Sequence, residues 1–525
     1  HLKSKSPTPF SPLSISKPLT PSVQIIMSDL EDWENLKALF ARASEAYESD
    51  NTTEALPLLR AVIRECHRFM REHPDPSLVY AYHYSHSDSR ETREEEDPMV
   101  PLPGAVLSGS EDRSLRGWTP EGSTTASLYS GSHSHSHPPT AFHAIFGTAL
   151  FYMGTLIAQD PKWALPDEPN TGVTYWLAAL DVFETGESLP AVVGGRRDKE
   201  EDWRMAVVWG RTLVALAEER LRRDEGVSGS ENGKRASQSP PPPSTRGEEG
   251  RGGVYSPFAI TEPRWPPTSP FHAIASSRPP VTRRMSLMNA TAHDVMVLAM
   301  DQFSRGIFRM PHPSYHCEHG VDIPGSGSSL WGGLPLPSPP SSSPTTANTF
   351  TSTTHSFQDS PTHTFSRPKE LYTIATSLLS VAEHLSSPHS REYWATQADS
   401  IFCQMKMEAD VSEWRGIVNM GRGRCWLVVG EARAEGMEVM LEKGEVEVLG
   451  SEEAEVAREG LAMAVTFFER AKGSATANPD FDEEDLSPLL AEALLTLANL
   501  TVDENTREEL YARAQAEGGD CVQLE

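Results

Sequence analysis

Cysteine is scarce in this chain and has no obvious mate. Cys66, Cys317, Cys403, Cys425 and Cys521 are scattered with no CxxC pair among the five. An odd, dispersed set suits neither a disulfide framework nor a four-thiolate zinc site, and a reducing compartment is expected. Long apolar runs are lacking too. The longest, Phe142 to Ala158, falls short of the roughly 20 residues that cross a bilayer and contains His143, so no transmembrane helix is expected. Positive charge is in short supply: the net charge is -28 over 525 residues. Such a chain repels phosphate backbones and anionic headgroups, which argues against direct nucleic-acid or membrane-surface binding. Walker A, HExxH and GxSxG sequences are absent as well. With no catalytic constellation, neither an enzyme nor a cofactor is expected.

What is abundant is polar, proline-rich sequence. Hydrophobic residues make up 38% and prolines number 42, so the chain is too polar to fold throughout. Residues 1 to 26, ahead of the first methionine at Met27, are expected to be a non-native or disordered extension rather than a secretory or transit peptide. The stretches 83–139, 224–290 and 311–368 are rich in Ser, Pro, Gly, Thr and His and cannot bury enough apolar surface to offset ordering entropy. They are expected to be disordered insertions. Folded sequence is left at 27–82, a first helical hairpin, at 140–223, at 291–310, a single helix, and at 369–525, the C-terminal repeats. Acid gathers in the last of these, with 25 Asp and Glu against 10 Lys and Arg between Val411 and Glu525. A basic partner surface fits best there.

The folded segments carry helical periodicity and almost no two-residue alternation, which predicts an all-α fold. Leu36, Leu39, Phe40, Ala43 and Tyr47 make one apolar face, and Leu58, Leu59, Val62, Ile63, Cys66 and Phe69 make the next after the turn at Ser49 to Thr52. Thr53 is the expected cap of the second helix. Further hairpins pair 142–158 with 175–183, 203–221 with 292–308, 371–385 with 393–405 and 414–441 with 454–472. Another runs from Leu489 to Leu497 and on past Thr506-Arg507-Glu508-Glu509, a capping-box sequence. Small residues at Ala454, Ala457, Gly460, Ala462 and Ala464 suit close helix approach. Stacked hairpins of tetratricopeptide-like type, an α-α superhelix of ragged period, are the predicted architecture, with an irregular helical bundle as the alternative.

Histidine groups at His133, His135 and His137, at His312, His316, Cys317 and His319, and at His83 and His86 sit in low-complexity sequence. They lack the rigid frame that zinc needs, and no metal site is expected. Gly421-Arg422-Gly423 resembles the start of a nucleotide loop, but no strand precedes it. Binding chemistry is carried by Trp176, Trp203 and Trp209, core packing being the commoner use of such residues. Arg204 and Arg211 flank Trp209 and are expected to pair with carboxylates. Ser286, after Arg283-Arg284-Met285, reads as a basophilic kinase site, and Ser239, Ser338 and Ser360 as proline-directed ones.

Four segments together resemble the fungal enhancer of translation termination family: Leu58 to Cys66 (LLRAVIREC), Phe142 to Leu150 (FHAIFGTAL), Tyr175 to Gly186 (YWLAALDVFETG) and Asp202 to Arg211 (DWRMAVVWGR). The resemblance covers the first half of the folded sequence. It implies an all-α repeat protein of the nucleus, with the cytoplasm as a further location, which binds and regulates a 2-oxoglutarate-dependent prolyl hydroxylase acting in translation termination and oxygen response. A monomeric adaptor is therefore the leading expectation. A general tetratricopeptide co-chaperone is the alternative, gripping a C-terminal carboxylate with Lys, Arg and Asn; no such set aligns on successive helices. A helical-repeat enzyme subunit ranks behind both.

Overall fold

Helical spacing of apolar residues becomes helix in a computed structural model of the protein. It describes residues 21–80, 138–189, 202–234, 265–278, 287, 290–311, 365–408, 411–475 and 486–518, and among them no strand occurs. The fold is all-α, and the chain divides into two compact units. The N-terminal unit takes residues up to Leu216 together with Ser244–Ala290. The C-terminal unit takes Ala217–Pro243 and Thr291 onward.

The N-terminal unit opens with helix α1 (Pro21–Glu48) and helix α2 (Thr52–Glu72). Trp33, Leu36, Ala43 and Ala46 of α1 are buried with Leu59, Val62, Ile63, Cys66 and Phe69 of α2. The turn between them needs one left-handed residue, supplied by Asp50 at φ 54°. Asn51, not Thr53, occupies the cap position, and Thr53 already lies in the helix, where its hydroxyl donates to Asn51 Oδ1 at 2.9 Å. Because α1 begins at Pro21, the last six residues of the supposed N-terminal extension belong to a helix.

Helix α3 (Ala141–Gln159) is apolar all round and long enough, by length and composition, to cross a membrane. In this unit 83% of its most apolar window is buried inside the protein. It packs on α2 and on helix α4 (Gly172–Ser188). Helix α5 (Trp203–Lys234) follows. Within the stretch expected to be a disordered insertion lies helix α6 (Pro270–Ser277), capped by Ser269. It holds position by contacts the sequence did not advertise. Phe271 stands edge-on to Tyr175 with ring centroids 5.4 Å apart, Ile274 is buried, and Arg278 donates to the buried Asp181 at 2.7 Å.

The C-terminal unit runs through helices α7 (Ala292–Arg309), α8 (Arg367–His384), α9 (Pro388–Met405), α10 (Val411–Glu442), α11 (Glu452–Ala475), α12 (Leu486–Leu500) and α13 (Glu504–Gly518). From α8 onward each packs on the next. Gly421 and Gly423 are interior residues of α10, not a nucleotide loop: a Cβ on Gly421 would lie 2.5 Å from the Phe402 ring, and one on Gly423 2.5 Å from the Phe468 ring. Farther along, Gly430 approaches Gly460 of α11 closely enough that a Cβ on Gly460 would meet the Gly430 backbone at 3.5 Å. Ala454, Ala457 and Ala464 share that buried face, whereas Ala462 is exposed. Asp503, rather than Thr506, caps α13, accepting from both the backbone N–H and the hydroxyl of Thr506. The buried Arg367 at the head of α8 donates to Glu408 at 2.9 Å and to the carbonyls of Ile307 and Met310, which closes the C-terminal end of α7.

Candidate functional site

The residues singled out in the N-terminal unit are largely packing elements. Trp176 is buried, and its indole fills the notch left by Gly154 of α3, where a Cβ would lie 2.8 Å from the ring. Trp209 is buried and stacks on Phe183 with centroids 5.8 Å apart. Trp203 is half-buried, and the exposed Arg204 guanidinium stands 4.9 Å from its ring centre. Arg211 lies 5.3 Å from the Phe151 ring centre. Among the described residues both guanidinium groups face aromatic rings and make no ion pair with the anticipated carboxylates. Ser286 lies outside the described residues, as do Ser239, Ser338, Ser360 and all the histidine groups weighed for metal binding. Among the described residues no group of three or more His, Cys, Asp or Glu is placed to hold a metal.

The segments that carried the family resemblance interlock here. A Cβ on Gly147 would come within 2.1 Å of Phe183, and one on Gly186 within 2.7 Å of His143 Cβ. Burial drives the His143 imidazole down to about 4, so it stays neutral at physiological pH.

Room for a partner is found in the C-terminal unit. One cleft of about 540 Å³ opens between α8, α10 and α12, with Met420, Leu427, Val428 and Leu489 along its apolar part and Glu383, Glu431 and Glu492 as its acids. Arg424 also lines it but is committed to Glu383 at 2.7 Å. Glu431 and Glu492 make no ion pair among the described residues. Burial, aided by the neighbouring Glu492 charge, raises Glu431 to about 7. The nearest cations are shared: Arg391 offsets part of the shift but is paired with Glu435, so a basic group entering the cleft would add counter-charge to Glu431. Apolar floor and acidic rim together suit a basic amphipathic segment.

A second cleft, of about 640 Å³, has the opposite sign and is lined by Lys406, Arg415, Val418, Asn419, Arg470, Gly473 and Ser474. It gathers the end of α9, the start of α10 and the last turn of α11. In the N-terminal unit a smaller hollow of about 210 Å³ lies beside Tyr47, Asp50 and Gln159. Neither large cleft was visible in the sequence, because no spacing rule links residues on three separate helices.

No family model and no curated protein matches the sequence. The chain is similar to solved structures of the S. pombe nuclear import adaptor Nro1. One, in space group P21, has a TM-score of 0.42 at 10% identity and covers 93% of each chain. A second, in space group P6522, has a TM-score of 0.40 at 12% identity, covering 96% of this chain and 92% of that one. A third structure of Nro1, described as a hypoxic regulator of sterol synthesis and a nuclear import adaptor, has a TM-score of 0.41 at 12% identity over 94% of this chain and 90% of that one.

Proposed function

We propose that this protein is a non-catalytic adaptor of the nucleus that binds and regulates a 2-oxoglutarate-dependent prolyl dioxygenase acting in translation termination, with the α8–α10–α12 cleft as the partner-binding site. The observation that carries the reading is the cleft itself: an apolar floor with two glutamates that make no ion pair among the described residues, one of them raised to about 7. The identity of the partner is supported by the sequence segments that resemble the enhancer of translation termination family. A stack of helices with open grooves and a large acidic excess suits protein binding better than chemistry on a small substrate.

Acid on the cleft steers a basic patch toward it and raises the association rate more than the affinity. Raising ionic strength from 0.1 M to 1 M shortens the screening length from about 10 Å to about 3 Å, so the on-rate should fall far more than the off-rate changes. Surface plasmon resonance of the chain against the dioxygenase of the same organism, at several salt concentrations, checks this. Glu431→Lys combined with Glu492→Lys should slow association about tenfold at low salt. No binding at micromolar concentration removes the dioxygenase as partner, whereas binding indifferent to salt and to the double variant removes the cleft.

A further inference from the structure

The cleft between α8, α10 and α12 holds more acid than base, and part of that acid is out of water. Glu383, Glu431 and Glu492 line it, and Arg424 is the cation among its lining residues. Arg424 is bound to Glu383, and Arg391 of α9, the other cation close to Glu431, is bound to Glu435. Glu492 of α12, Glu383 of α8 and Glu438 of α10 act on Glu431 with its own sign. Helix α11 meets this stretch of α10 at Gly430 with Gly460 and Leu461, which carry no charge. Glu431 is half-buried beside the apolar Leu427, Val428 and Leu489, whereas Glu492 is exposed. Like charges brought together against apolar surface cannot all ionise freely, and the most enclosed of them keeps a proton longest. Burial first, and the Glu492 charge second, accordingly lift Glu431 to about 7.

Resting on the reading of this cleft as the partner site, we infer that a lysine or arginine entering it displaces the proton of Glu431, so that binding releases a proton and weakens as pH falls. The step is an exchange. The carboxyl O–H breaks, its proton passes to solvent, and the carboxylate accepts an N–H from the incoming ammonium or guanidinium. The apolar side of the same segment lies on Leu427, Val428 and Leu489. Whatever the proton takes from the affinity of the cation, the cation takes from that of the proton. Below neutrality the carboxyl is protonated and the cation has to displace that proton; above it the carboxylate is already free. Lysine and arginine titrate far above this range, so the ligand keeps its charge throughout.

Fluorescence anisotropy with the full chain and a labelled amphipathic peptide of leucine and lysine, blocked at both ends and free of histidine, tests this between pH 6 and pH 8. Histidines elsewhere in the chain change charge over the same range, so Glu431→Gln, which keeps the shape of the side chain, supplies the baseline. The parent should bind about tenfold more tightly than this variant at pH 8, the size of one charge-assisted contact, and only about twofold more tightly at pH 6. Glu492→Gln should move the midpoint of that change to lower pH, because a like charge has gone. Calorimetry at pH 7 in phosphate and in Tris, whose ionisation heats differ, should show proton release by the parent that Glu431→Gln lacks. A ratio equal at pH 6 and pH 8, or the same buffer dependence in parent and variant, would overturn the inference and leave the cleft a binding site. No binding of the peptide at pH 8 would overturn both. The dioxygenase can fail to bind while the peptide ratio changes as expected, and it can bind with salt dependence while the ratio stays flat, so the two results are separable.

Discussion

In the N-terminal unit, helices α3 and α4 meet through close glycine–aromatic contacts, Gly147 receiving Phe183 and Gly154 receiving Trp176. In the C-terminal unit the glycine notches recur, at Gly421, Gly423 and Gly430, but helices α8 to α10 are in addition tied by arginine–carboxylate pairs. Arg391 pairs with Glu435, Arg433 with Glu392, Arg422 with Asp399 and Arg424 with Glu383. The first three fall in antiparallel order along α9 and α10, so a slip of one helix turn would break all of them. Helix α3 has no polar face to spare for such pairs. Its register has to be set by shape, whereas charge shares that task in the other unit.

The sharpest way to break the comparison is to remove a buried cation. Arg367→Met leaves Glu408, itself 7% exposed, without its counter-charge and strips two carbonyls of their donor. The expected loss is about 3 to 5 kcal/mol, read as a fall in the denaturant midpoint. Adding Glu408→Leu should restore much of it, and a double variant no better than the single would show that the pair is not the cause. Next comes shape. Gly147→Val forces a branched side chain against Phe183 and should cost about 1 to 3 kcal/mol, with loss of near-ultraviolet dichroism from the α3–α4 aromatics. Gly436→Ala, in open space on α10, should instead gain a few tenths to about 1 kcal/mol. Equal effects at the two glycines would dispose of the notch account.

The smallest effect concerns the carboxylate that the arginine ties pass over. Glu431 titrates near 4.5 when unfolded and at about 7 when folded. Between those values the folded state keeps a proton that the unfolded state has released, so stability falls as pH rises through this window. Glu431→Gln should therefore melt a few degrees above the parent at pH 8 and not at pH 4.5. A gap of the same size at both values would mean that ionisation of Glu431 is not what the folded protein resists.

Helices were legible in the sequence where apolar residues recur at helical spacing over several turns. Leu371, Ile374, Leu378 and Ala382 sit at helical spacing, and all are buried. Helix ends were less so, since Thr53 and Thr506 are plausible caps by residue type but Asn51 and Asp503 hold those positions by geometry. Helix α6 escaped because eight residues carry too little periodicity, although Ser269 followed by Pro270 is a helix-start signal in plain view. Its order comes from Tyr175 and Asp181, nearly a hundred residues earlier in the chain. Lys406, Arg415, Asn419 and Arg470 line one cleft where one helix ends, another begins and a third finishes, a grouping that no spacing along the chain reveals.

Arg367 has a consequence for how such a chain can change over generations. Its guanidinium clasps the last carbonyls of α7 from the first residue of α8, so one side chain fixes how those two helix ends meet, whatever the number of residues between them. Two helices joined in this way depend for their mutual placement on position 367 more than on the length of sequence that separates them, and a change of that arginine is felt at both ends at once.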